Sequence, residues 1–245
     1  MICFNEEKRL AKTLEAIKNI ADELVIVDNG STDKTLEIAA SFGAKIFHED
    51  WKGHVAQKNS ALAKCTCDWI LALDADEVVT AELNIEISNA IKNANYVGYS
   101  FKRKTYLFGK FLEYAWQPDR KLRLVQKNAN PVWKGVDPHD VLTVNGKTKN
   151  LANFVEHYSY KNMADHLTKT IKYAQTSAFE YHKSGKKFKL TSLLFNPPFK
   201  FFKEYFLKNG FLDGVRGFYA AFGALIYTYI KYFHLWELEQ KNCEK

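Results

Sequence analysis

The feature that most constrains this chain is the way its first ninety residues switch between two hydrophobic periods. Leu10, Leu14 and Ile17 recur at helical spacing, and Leu24-Val25-Ile26-Val27 is then a short apolar run that stops at Asp28. Asn29-Gly30-Ser31-Thr32-Asp33 is turn chemistry with N-cap candidates. A helix through Leu36, Ala39 and Ala40 stops at Gly43, and Lys45-Ile46-Phe47 reads as a strand. Val55, Asn59 and Leu62 mark the next helix. Trp69 to Leu73 is a strand running into Asp74-Ala75-Asp76-Glu77, and Leu83, Ile87 and Ile91 line one more helix. Alternation of this kind predicts an α/β fold, a parallel sheet covered by helices that takes ligands at the carboxyl ends of its strands, where Asp28 and Asp74 fall. No G-x-G-x-x-G or Walker sequence accompanies them, which argues against a plain dinucleotide or ATP site.

From about Tyr96 to Tyr160 strands and loops take over, and Asn145-Gly146 within Val141–Leu151 predicts a hairpin. A helical period returns from Met163 to His182. Ser184-Gly185 is the expected boundary between a domain over 1–184 and a helical, basic-aromatic extension over 185–245. The fourteen uncharged residues from Gly217 to Ile230 are too few to cross a bilayer, which needs about 20.

Charge divides the chain. The net charge is +7, yet residues 1–90 carry 9 Lys/Arg against 16 Asp/Glu, and the cationic excess lies beyond them. That acidic first third argues against a nucleic-acid-coating protein. Residues 183–208 hold seven Lys against one Glu, interleaved with Phe and Tyr, as suits a headgroup interface. The start, Met1 to Glu7, lacks the pattern of a secretory signal, so the Asn29-Gly30-Ser31 sequon is set aside. The four cysteines are expected to be free thiols; Cys65-Thr66-Cys67 lacks zinc-site spacing.

The carboxylates carry the chemistry. Asp74 and Asp76 on a turn after a strand can approach one site, and Mg²⁺ or Mn²⁺ favours such oxygen ligands together with phosphate oxygens. Asp28 either shapes a strand exit or accepts from a base or ribose, and the two roles are compatible.

The motifs Asn5-Glu6-Glu7, Val27-Asp28-Asn29-Gly30-Ser31-Thr32-Asp33, Gln57-Lys58-Asn59 and Leu73-Asp74-Ala75-Asp76-Glu77 occur in that order. Together they resemble the inverting GT-A nucleotide-sugar glycosyltransferases of glycosyltransferase family 2. Gln117-Pro118-Asp119-Arg120-Lys121-Leu122-Arg123-Leu124, Pro138-His139-Asp140 and Glu156-His157-Tyr158-Ser159-Tyr160 are similar to the bacterial lipopolysaccharide-core β-1,4-glucosyltransferase branch. The likeness extends over nearly the whole chain.

The resemblance implies a GT-A fold, a Rossmann-like mixed sheet flanked by helices. It implies metal-dependent transfer of a hexose, glucose, from a UDP-sugar to a heptose of the lipopolysaccharide or lipooligosaccharide inner core, with a β-linkage formed by inversion. Asn5, Glu6, Asp28, Asn29, Lys58, Asn59, Asp74 and Arg123 would hold the nucleotide-sugar. Asp76 and His157 would hold Mg²⁺ or Mn²⁺, and Asp119 and Arg120 would shape the cleft. Asp140, where the branch carries Glu, would be the general base, with Asp137 and Asp119 as rivals. The implied partners are the UDP-sugar, a lipid A-core acceptor and the cytoplasmic face of the inner membrane, with no nucleic acid. A family 2 enzyme with another glycolipid or polysaccharide acceptor is the alternative, and a non-catalytic membrane- or nucleic-acid-binding protein the remote one. The chain departs from the family pattern in having only Met1 to Phe4 before Asn5-Glu6-Glu7.

Overall fold

The computed structural model describes residues 1–93, 95–136 and 139–243. Two compact units divide them, residues 1–105 with 119–159, and residues 106–118 with 160–245. The boundary expected near residue 185 falls inside the second unit.

In the first unit the two hydrophobic periods become alternating strands and helices. These are β1 (Ile2–Cys3), α1 (Leu10–Ile17), β2 (Val25–Asp28), α2 (Thr35–Ser41), β3 (Lys45–His48), α3 (His54–Lys64), β4 (Trp69–Leu71), β5 (Glu77–Val79) and α4 (Ala81–Lys92). The stripe Leu10, Leu14 and Ile17 is buried to the last residue, because at 3.6 residues per turn all three face the sheet. Helix α2 ends where the glycine predicts, with Gly43 at φ +71° and the Ala44 N–H returning to the Ala39 carbonyl. Thr80 caps α4 by accepting the Leu83 N–H at 3.3 Å.

β1, β2 and β3 form a parallel sheet with β2 in the centre, so Asp28 stands at a carboxyl end. A second, mixed sheet follows from β6 (Gly98–Leu107), β8 (Arg120–Gln126) and β11 (Thr148–His157), in the order β4-β8-β6-β11-β5. Only the β6–β11 pairing along this path is parallel, so β4 does not continue the parallel run that the sequence pattern suggests. Leu14, Ile26, Leu83, Ile87, Phe101 and Leu124 form the core between sheets and helices. A largely apolar cavity of about 460 Å³ lies beside the short β1, lined by Met1, Leu14, Ile26, Ile70, Leu73 and Ile91 among others.

The expected hairpin does not form. β10 (His139–Thr143) pairs with β9 (Val132–Val136), whereas β11 pairs with β6 and β5. Asn145-Gly146 therefore turns the chain from one sheet to another. Gly146 is required there: its φ is +140°, and a Cβ would lie 2.6 Å from Cγ2 of Val97.

The last two residues of β6, Tyr106 and Leu107, belong to the second unit and pair with β7 (Lys110–Phe111). The unit's helices are α5 (Met163–Lys183), α6 (Leu190–Phe202) and α7 (Val215–Cys243). Asn162 caps α5 by accepting the Asp165 N–H at 2.9 Å. Ala178, Leu193, Tyr232 and Leu235 seal the three helices together. Among the described residues no helix is long and apolar enough to cross a membrane.

Candidate active site

Two loops of the first unit form a platform. Asp28 is fully buried, and its carboxylate accepts the N–H groups of Gly30 (2.9 Å) and Ser31 (3.0 Å), holding a turn that needs the φ of +98° at Gly30. The Asn5 N–H donates to Ser31 Oγ at 2.9 Å, and the Asn5 side chain accepts the Thr32 N–H at 2.9 Å. The Glu6 N–H donates to Thr35 Oγ1 at 2.7 Å, and the Glu7 N–H to Asp33 at 3.2 Å. Two motifs, linked by hydrogen bonds across 26 to 29 residues, thus become one surface. Asn29 ties that surface to β1 through its backbone N–H and the Cys3 carbonyl, 3.2 Å apart.

Beside it runs a ladder of alternating charge. Lys58 Nζ lies between Asp140 Oδ2 (2.8 Å) and Asp74 Oδ1 (2.9 Å). Arg123 Nη2 bridges Asp74 (2.7 Å) and Glu77 (2.9 Å), and Arg103 bridges Glu77 (3.3 Å) and Asp119 (2.7 Å). Four carboxylates and three cations alternate from Asp140 to Asp119. Trp133 lies beneath two of the cations, with Lys58 Nζ 4.4 Å and the Arg123 guanidinium carbon 5.3 Å from its ring centroid.

The ladder sets protonation states. Burial pushes the Asp74 carboxyl up, but Arg123 and Lys58 overcome it and hold it well below the usual carboxylate range. Burial likewise opposes ionisation of Asp119, and Arg103 with Lys121 holds it below its ordinary value. Burial disfavours the Lys58 ammonium, yet Asp74 and Asp140 keep its pKa above that of a free lysine. Arg103 and Arg123 are raised in the same way by their carboxylates against the effect of burial.

A third group joins ladder and platform. Asp76 faces His157 Nε2 at 3.6 Å and Arg9 at 3.8 Å, and Arg9 also reaches Glu6 at 3.5 Å. Burial pushes His157 below the ordinary histidine pKa, against the pull of Asp76, so its ring favours the neutral form that ligates metals. Among the described residues no three acidic, His or Cys side chains converge on one point. The pair nevertheless fits a divalent cation whose remaining ligands come from substrate phosphates, the usual mode for Mg²⁺.

Of the residues singled out from sequence, Lys58, Asp74, Arg123, Asp119 and Asp140 are brought together in the ladder. Asn5, Glu6 and Asp28 are in or beside the platform, and Asp76 meets His157. Asn59 has another task, for its amide both donates to the Trp133 carbonyl (2.9 Å) and accepts the Trp133 N–H (2.8 Å). Arg120 donates to the carbonyls of Leu151 (2.8 Å) and Ser100 (3.3 Å), bracing β6 and β11. Asp137 and Pro138 lie outside the described residues. Sequence reasoning missed Arg9, Glu77, Arg103 and Trp133. Glu77 had a visible sign, an acid that opens the short apolar strand β5.

The family model described as glycosyl transferase family 2 matches residues 1–146. An uncharacterized glycosyltransferase of Rickettsia typhi is 32% identical over 100% of this chain and 87% of its own length. The lipopolysaccharide core biosynthesis glycosyltransferase LpsC of Rhizobium meliloti is 29% identical, covering 94% of this chain and 88% of its own. Among solved structures, glucosyl-3-phosphoglycerate synthase from Mycobacterium tuberculosis, in complex with phosphoglyceric acid, is similar with a TM-score of 0.50 and 17% identity. That match covers 75% of this chain and 78% of the other, and the shared fold is that of the GT-A glycosyltransferases.

Proposed function

The chain belongs to glycosyl transferase family 2 and is a glycosyltransferase, and from that premise we propose that it moves glucose from a UDP-sugar to a heptose of the lipopolysaccharide inner core, at the cytoplasmic face of the inner membrane. The likeness to LpsC supports the core acceptor. The observation that carries the reading is the ladder: Lys58 and Arg123 offer cations to a diphosphate while carboxylates on either side fix their positions.

In this reading the platform of Asn5, Glu6 and Asp28 receives the uridine, and Asp74 lies on the sugar side. Asp76 and His157 would hold Mg²⁺ or Mn²⁺, which when bound acts as a Lewis acid toward the departing diphosphate. Arg123, fixed between Asp74 and Glu77, stabilises negative charge without reorganising as that charge grows. Asp140 takes the proton of the acceptor hydroxyl at a carboxylate oxygen, leaving a nucleophile for in-line attack on the anomeric carbon. Against the effect of burial, Arg103 and Lys121 hold the Asp119 carboxyl below its ordinary value, which weakens Asp119 as a base. One displacement inverts the anomeric centre and gives a β-linkage.

The test is a transfer assay with UDP-glucose, Mn²⁺ and core oligosaccharides truncated at successive sugars, with the product anomer read by NMR. A β-glucosyl heptose supports the reading. A retained α configuration, or transfer only to acceptors without heptose, refutes it.

A further inference from the structure

The outer surface of the second unit has a composition that its helices do not need for packing. Residues 183–214 carry seven Lys and two carboxylates, and both carboxylates turn onto backbone. Asp213 accepts the N–H groups of Glu113 (3.0 Å), Tyr114 (3.0 Å) and Ala115 (2.8 Å). Glu204 accepts the Trp116 N–H at 3.1 Å and pairs with Lys208 at 2.9 Å. Lys187, Lys189, Lys200 and Lys203 are exposed. The surface left outside is therefore strongly cationic.

Among these lysines lie large exposed apolar side chains. Phe195, Phe199 and Phe202 recur at i, i+4 and i+7 on α6 and are 68%, 55% and 46% exposed, while Leu193 and Pro197 on its inner side are buried. The rings continue past the helix. Phe202 meets Phe206 at 5.2 Å, Tyr205 bridges Phe206 to Phe218, and Phe218 stacks on Phe222. Scattered exposed apolar residues need no explanation, but a connected patch marks an interaction surface.

We propose that this face docks onto an anionic phospholipid monolayer, with Phe195, Phe199 and Phe202 entering the headgroup–acyl boundary and the lysines pairing with lipid phosphates. The charge pattern selects this occupant. Lysine stems lie along apolar surface and carry their ammonium groups up to phosphates. A second copy of the chain would instead bring one cationic rim against another. The inference rests on the functional reading for the purpose of docking, a lipid-linked acceptor, but adsorption is measured without donor or acceptor, so the two can fail separately.

The experiment is sedimentation of the full chain with sucrose-loaded vesicles of phosphatidylethanolamine containing about one-third phosphatidylglycerol. Vesicles of phosphatidylcholine alone serve as the neutral arm, and light scattering gives the oligomeric state. Binding is expected on the anionic vesicles only, weakening several-fold as NaCl rises from about 0.1 to about 0.5 M. Lys200→Gln with Lys203→Gln lowers partitioning roughly 30-fold, at about 1 kcal/mol per lysine. Phe195→Ser with Phe199→Ser lowers it at least roughly tenfold, with an unchanged circular dichroism spectrum because neither ring is in the core. Absence of binding at low salt overturns the proposal, as does full binding by both double variants. So does a wild-type dimer that Phe195→Ser with Phe199→Ser converts to monomer, since the face would then be a self-interface.

Discussion

Glu77→Gln replaces one carboxylate oxygen by an NH2 group in a side chain with no solvent exposure, and the change should propagate along the whole ladder. Glu77 accepts from Arg123 at 2.9 Å and Arg103 at 3.3 Å, and its other oxygen accepts the Asp74 N–H at 3.1 Å. Glutamine keeps the shape but removes the charge between two guanidinium groups. Removing one member of a buried pair costs about 3–5 kcal/mol, because the partner is left charged without compensation. Arg123 retains Asp74 and Arg103 retains Asp119, so the lower end, about 3 kcal/mol, is expected. For a domain of this size that lowers Tm by about 6–12 °C.

Thermal and urea unfolding of the full chain by circular dichroism measure this, with Lys18→Gln as the reference. Lys18 pairs with Glu15, and both side chains are about half exposed, so its loss should cost under about 0.5 kcal/mol. A double-mutant cycle of Glu77→Gln with Arg103→Gln should give a coupling of about 1 kcal/mol or more. A Glu77→Gln loss no larger than that of Lys18→Gln would refute the ladder as a cooperative unit.

Asp140→Asn should lower kcat by about 10²–10⁴ with Asp119→Asn much milder; the reverse ranking in a transfer assay would make Asp119 the base. Chelation by EDTA should end transfer, with recovery on adding Mn²⁺ to wild type but not to Asp76→Asn, followed by product chromatography. In the second unit, burial among the rings of Trp116, Tyr160 and Tyr219 pushes His166 down to about 4, and its Nδ1 lies 2.8 Å from the Tyr219 hydroxyl. The folded state thus refuses a proton that the unfolded chain accepts below about pH 6.5, so stability is full above that pH and falls as pH drops toward 4. The loss is about 3 kcal/mol at most, and urea titrations across this window should show the slope in wild type and not in His166→Gln.

The parts of the fold legible in sequence were those fixed locally. Leu10, Leu14 and Ile17 dictate a buried helical stripe without knowledge of the partner, and Asp28 and Asp74 stand at strand exits because the apolar runs stop there. Asn145-Gly146 shows where local reading ends. The dipeptide permits a hairpin, but β10 already pairs with β9 just before it in the chain, and β11 gains β6 and β5 in the mixed sheet, so these pairings override the turn.

The same distinction explains why Lys58 and Arg123 were legible as site residues and Arg103 was not. Lys58 lies in Gln57-Lys58-Asn59 and Arg123 in the segment 117–124, but Arg103 meets Glu77 across 26 residues, and Lys58 meets Asp140 across 82. Yet Arg103 left a trace. Side chains alternate along a strand, and Phe101 and Thr105, two residues to either side of it, are 1% and 6% exposed. An arginine on that face must be buried with a carboxylate or not buried at all. Val125 marks the same face of β8 for Arg123. Two arginines on the buried faces of two paired strands, in a chain whose acids cluster at strand exits, already require a buried network of ion pairs, and what the structure adds is its order: each carboxylate separated from the next by one cation, leaving Asp140 and Asp119 at opposite ends.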